Sequence, residues 1–144
     1  MTTLYEKDIL GWVEEQVGLL KNKQWDKLDL ENLIDEVESV GSSFRDAIGS
    51  YFEVLLTHML KWHYQKSMRS NSWKGSIRNS QKRIKKIVKE NPGQKPFMKN
   101  LFENSYEDAL EIAIIETGLS KKDFPMICPW TMEQCLNFEL EWMR

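Results

Sequence analysis

The chain has 144 residues, 41% of them hydrophobic and 29% charged, with a formal net charge of −2. That length suits a single domain over residues 1–144 with a core of its own, and the balance argues against disorder and against a strong field of either sign. No apolar run is long enough to span a bilayer, and the first eight residues lack the apolar stretch of a signal peptide.

Helical periodicity runs throughout, with no strand-like alternation, so the expected class is all-α: one bundle of about six helices. The first is predicted over Tyr5 to Lys21, with Ile9, Trp12, Val13, Gln16, Val17, Leu19 and Leu20 on one side. After a connection carrying Trp25, Asp29 is the natural N-cap of a second helix that Gly41 would end. Ser42 or Ser43 would then cap a long third helix through about Gln65. Its apolar arc from Phe44 to Trp62 is broad enough to touch several neighbours, which makes it the centre of the bundle. Ser70 or Ser72 can cap a fourth helix, about Trp73 to Glu90, stopped by Asn91-Pro92-Gly93. A fifth runs from about Pro96 to Thr117 and ends at Gly118. Beyond an irregular stretch with Pro125 and Pro129, Thr131 and Gln134 form a capping-box pattern that opens the last helix.

Cys128 and Cys135 stand seven apart with neither a CxxC nor a nearby histidine. They read as reduced structural thiols of a cytoplasmic protein rather than a zinc site or disulfide pair. The scattered glycines form neither a P-loop nor a dinucleotide fingerprint, no serine or cysteine sits in a nucleophile elbow, and no cofactor or metal is expected.

Two polar residues interrupt apolar faces. His58 falls among Tyr51, Val54, Leu55 and Trp62, and Glu116 falls behind Ala109, Ile112 and Ala113. Desolvation makes each need a partner. Glu31, Asp35 and Glu38, along one flank of the second helix, could supply one if that helix folds back. The cluster Glu31, Asp35, Glu38, His58 and Glu116 reads in two ways. It is a histidine hydrogen-bonded for packing register, or the acid–base or metal site of a small metal-dependent enzyme. Glu116, a turn from its helix end, can also reach solvent or pair with a basic side chain.

Charge distribution says more than net charge. From Lys61 to Lys89 there are ten Lys or Arg and no Asp or Glu, whereas Asp26 to Leu60 holds eight acids against two bases. The candidate binding surface comprises Lys61, Arg69, Trp73, Lys74, Arg78, Lys82, Arg83, Lys85 and Lys86, with Lys89 beyond. Such a surface suits a phosphate backbone with aromatics stacking on bases, or an acidic protein. The plainer reading is a solvated face whose bases pair with acidic helices of the same bundle. An apolar patch near Phe138 and Trp142 is a third possibility, serving a dimerising adaptor.

The stretches Leu30-Glu31-Asn32-Leu33-Ile34-Asp35-Glu36-Val37-Glu38 and Thr57-His58-Met59-Leu60-Lys61-Trp62-His63 resemble the first two blocks of a bacterial family numbered 29 among domains of unknown function, common in cyanobacteria. Arg69-Ser70-Asn71-Ser72-Trp73 resembles the third block, and Glu116-Thr117-Gly118-Leu119 with Cys128-Pro129-Trp130-Thr131 the last. The resemblance covers nearly the whole chain. It implies a small all-α protein and carries no activity, substrate or cofactor. Its recurring motif positions correspond here to Glu31, Glu38, His58, Lys61, Trp62, Arg69 and Trp73. The reading favoured by the residues is a non-enzymatic binding module.

Overall fold

The computed structural model describes residues 1–140. Trp142, one half of the suggested dimer patch, lies outside them. The described residues are helical, with no strand: α1 (Leu4–Lys7), α2 (Ile9–Lys21), α3 (Leu30–Tyr64), α4 (Asn71–Glu90), α5 (Met98–Thr117) and α6 (Met132–Leu136), joined by short 3₁₀ turns. The chain divides into two compact units, Met1–Ser42 and Ser43–Arg144, and α3 belongs partly to each.

In the first unit the predicted opening helix is split at Asp8. Its carboxylate accepts the Gly11 N–H at 3.0 Å and its backbone leaves the helical region, so it ends α1 and caps α2. A short aspartate competes well for its own neighbouring N–H groups, and here that local bond wins over continuity. A Cβ on Gly11 would collide with the same carboxylate. Asp29 caps α3 as expected, accepting from Asn32, and its backbone N–H donates to Gln16 Oε1 at 2.8 Å. The Trp12 indole N–H reaches the Asp29 carboxylate at 3.0 Å, and the Tyr5 hydroxyl donates to Glu36 at 2.6 Å. These bonds make α2 and the start of α3 an antiparallel hairpin. The side-chain and indole N–H bonds from Asn32 and Trp12 hold the Asp29 carboxyl below the usual range.

The expected break at Gly41 is not formed. Helix α3 runs without interruption for 35 residues. Gly41 does not take the left-handed conformation that a C-terminal glycine cap needs; the only glycine that does among the described residues is Gly118. The Ser39 and Ser42 hydroxyls donate backwards, to the carbonyls of Glu36 and Ser39. Serines satisfied by the preceding turn decorate a helix instead of starting a new one.

In the second unit, the C-terminal part of α3 is enclosed almost all round. Every residue from Leu55 to Trp62 is buried except His58, which is half-buried. Phe52 meets Phe102 of α5 edge to face at 5.4 Å, and Ile77 and Ile84 of α4 and Cys135 of α6 complete a core that leaves Leu55 and Leu56 no exposed surface. The caps at Ser70, Gly118 and Thr131 fall where the sequence places them. Helix α5 starts at Met98, because Pro92–Phe97 is spent on a 3₁₀ segment, and α6 is only five residues long. Gln81, fully buried on α4, donates to the carbonyls of Cys135 and Phe138 at 2.9 Å each and so ties the end of α6 to α4. Because Leu55 is enclosed on every side, Leu55→Ala is expected to cost about 3–5 kcal/mol in urea unfolding. A loss below about 1 kcal/mol would mean that the site collapses freely or is not enclosed.

Candidate functional site

The residues grouped by sequence as one basic-aromatic surface divide into an inward network and an outward stripe. Lys61, with 10% of its side chain exposed, extends to Glu116 on α5 at 2.7 Å, and its ammonium lies 4.8 Å from the centre of the Trp73 ring on α4. Arg69 lies over the Trp62 ring at 4.4 Å, and its Nε–H donates to the Trp62 carbonyl at 2.9 Å. A cation taken out of water needs a carboxylate, a carbonyl or a ring face. Lys61, which is buried, spends its charge on such partners, while Arg69, itself exposed, lays its guanidinium over the Trp62 ring. Trp62 is buried, whereas Trp73 is half-buried with the Lys61 ammonium over one face of its ring.

His58 and Glu116 come together on the walls of a cleft of about 330 Å³, with Glu53, Val54, Thr57 and Ile112. The His58 ring is anchored by Nδ1 at 2.7 Å from the Val54 carbonyl. That oxygen can only accept, so Nδ1 carries a proton and Nε2 is the remaining polar atom of the neutral ring. Burial pushes the His58 pKa down, helped by Lys61 and opposed by the Val54 bond and by Glu116. His63, on another side of α3, bonds the Met59 carbonyl and packs between Trp130 and Phe138, and burial lowers its pKa too. Glu31, Asp35 and Glu38 are exposed on the first part of α3, in the other unit. Among the described residues, no group of three or more His, Cys, Asp or Glu side chains is placed to hold a metal ion.

The outward stripe belongs to α4. Ser70 caps this helix, and Trp73, Ile77, Ile84 and Val88 turn its apolar side to the core. At 100° per residue, Arg78, Lys82, Lys85 and Lys89 then fall within one arc of about 60° on the outer side, with Lys86 about 40° and Arg83 about 100° beyond its edge. All six are exposed. Among the described residues none of them meets a carboxylate within ion-pair distance; Lys85 touches the Asn137 amide at 3.3 Å. Lys74 is half-buried near the start of the helix.

A wider cavity of about 810 Å³ lies between α5 and residues 126–133, floored by Phe102, Tyr106 and Trp130. The Tyr106 hydroxyl is spent on the Pro125 carbonyl at 2.6 Å. Cys128 and Cys135 are free thiols whose pKa values burial raises, which leaves them protonated and unreactive. Phe138 is half-buried against His63 and the core. Sequence reasoning overlooked Gln81. Its signal was a glutamine between Ile77 and Ile84 on the apolar arc of α4, where an amide must find partners.

These features define an all-α protein with a buried, ion-paired lysine and one helix with an exposed basic side. Among the described residues no helix is long and apolar enough to cross a membrane. Over residues 4–141 the chain matches the family described as domain of unknown function DUF29, and it belongs to that family. No curated protein and no solved structure matches it.

Both histidines favour the neutral ring in the folded state, with pKa values below the ordinary 6.5. Below pH 6.5 the unfolded chain takes up more protons, so the stability they contribute is complete above that pH. It is lost as pH falls through their lower folded values. Urea midpoints measured from pH 7.5 down to 5.5 are expected to fall, and His58→Gln should flatten the slope. An unchanged slope in that variant would place the proton uptake elsewhere.

Proposed function

We propose that the second unit is a binding module whose α4 stripe docks on the phosphate backbone of a nucleic acid. The observation that carries this reading is the run of Arg78, Lys82, Lys85 and Lys89 along one exposed side of a helix, with no ion pair to a carboxylate among the described residues. Bases one turn apart on a helix form a linear row about 16 Å long, which suits a row of phosphates better than a single anion. Because Trp62 is buried and Trp73 has Lys61 over one face, stacking is expected to contribute little. The expected ligand is a duplex gripped by charge, with little sequence preference.

The test is fluorescence anisotropy with a short duplex DNA or RNA over a salt series. If four phosphates are contacted, affinity falls roughly 100-fold between about 50 and 200 mM salt. Replacing Arg78, Lys82, Lys85 and Lys89 with glutamine should remove most of that slope with no change in helical content. Lys61→Met should leave the slope alone, since Lys61 faces Glu116. No binding at low salt would end the nucleic-acid reading and leave an acidic protein as the stripe's partner.

A further inference from the structure

The hairpin of α2 and the first part of α3 has too little core for its size. Of the residues in the Met1–Ser42 unit, only Trp12 and Gln16 are buried. Ile9, Leu10, Val13, Val17 and Leu20 of α2 are all at least 40% exposed, and Leu30, Ile34, Val37 and Val40 of α3 more than 50%. Surface helices normally turn such residues inward, and a unit this small seldom holds without a further stabilising contact.

The two exposed stripes form one face. On α2 the side holding Trp12, Gln16 and Leu19 turns towards α3, and the exposed residues lie about 100° further round in the direction of the chain. On α3 the side holding Asp29, Leu33 and Glu36 turns towards α1 and α2, and Leu30, Ile34 and Val37 lie about 100° further round in the same sense. For antiparallel helices, equal sense of rotation puts both stripes on the same side of the hairpin. Their spacings of three and four are those of a bundle seam.

We propose that this face is covered by the same face of a second copy of the chain, forming a four-helix bundle from two hairpins. The eight side chains of the two stripes leave roughly 800 Å² open, about what each partner buries in a stable interface. A face with two parallel stripes is matched by itself turned over, which is the geometry of a two-fold dimer. The rims carry a signature: residues 1–42 hold ten carboxylates against four lysines. Two such rims repel, so added salt screens them and tightens the dimer, the opposite of its effect on a phosphate-bound stripe.

Sedimentation equilibrium of the full chain at low and high salt tests this directly. The expected result is a monomer–dimer equilibrium whose dissociation constant falls as salt rises. Val37→Asp and Leu10→Asp, each on an exposed side chain, should weaken it at least about tenfold with unchanged circular dichroism. The α4 glutamine variants should leave it untouched. A wild-type chain that stays monomeric at high salt overturns the proposal, as does a dimer indifferent to both aspartates.

Discussion

The ammonium of Lys61 is the constraint around which the second unit is arranged. A cation with so little exposure can be held only by groups that replace its water, and these come from two other helices: the Glu116 carboxylate of α5 and the Trp73 ring of α4. One side chain thereby sets where the end of α5 and the start of α4 meet α3. Glu116 remains 45% exposed, so solvent screens the pair, and its importance is directional more than energetic. With Trp73 held inward, the periodicity of α4 follows: Ile77 and Ile84 enter the core, and the bases are left on the far side. Gln81 completes the arrangement, reaching from the same buried face to the carbonyls at the end of α6.

Local chemistry was legible in the sequence wherever one residue decides an outcome by itself. Ser70, Thr131 with Gln134, and Gly118 each cap a helix with bonds to neighbours a few positions away. Asp29 was legible for the same reason. Gly41 and Ser42 were misleading because glycine and serine permit an end without requiring one. The choice fell to hydroxyls that bond equally well to the preceding turn. Asp8 failed in the opposite sense: an aspartate inside an apparently continuous pattern captured the Gly11 N–H and split the helix.

The site was less legible than the fold, because the deciding contacts join residues far apart in the chain. Lys61, Arg69 and Trp73 were grouped with Arg78 to Lys86 by charge and proximity in sequence. Nothing in that grouping separates a cation lying on its neighbour's ring from one facing water. Lys61 finds Glu116 fifty-five residues away, a pairing that periodicity places on the correct faces but cannot select. The same limit applies to His58. Periodicity put it in the buried arc, yet its first partner is the carbonyl of its own preceding turn and not a carboxylate of another helix.

The blocks that carry the family resemblance can be weighed against this geometry. His58, Lys61, Trp62, Arg69 and Trp73 make contacts within α3, or between α3 and the segments immediately packed on it. Each contact settles a cost that burial would otherwise impose: a desolvated imidazole, a desolvated ammonium, an indole without a neighbour. Residues with such duties are required by any chain that folds this way, whatever it binds. The exposed bases Arg78, Lys82 and Lys89 and the apolar side chains of the hairpin are different, since among the described residues no carboxylate pairs with the former and no core encloses the latter. Exposed lysines in a row repel one another, and exposed valines and leucines forgo burial. Features of this kind gain free energy only on contact with something outside the chain, and these two lie in different units.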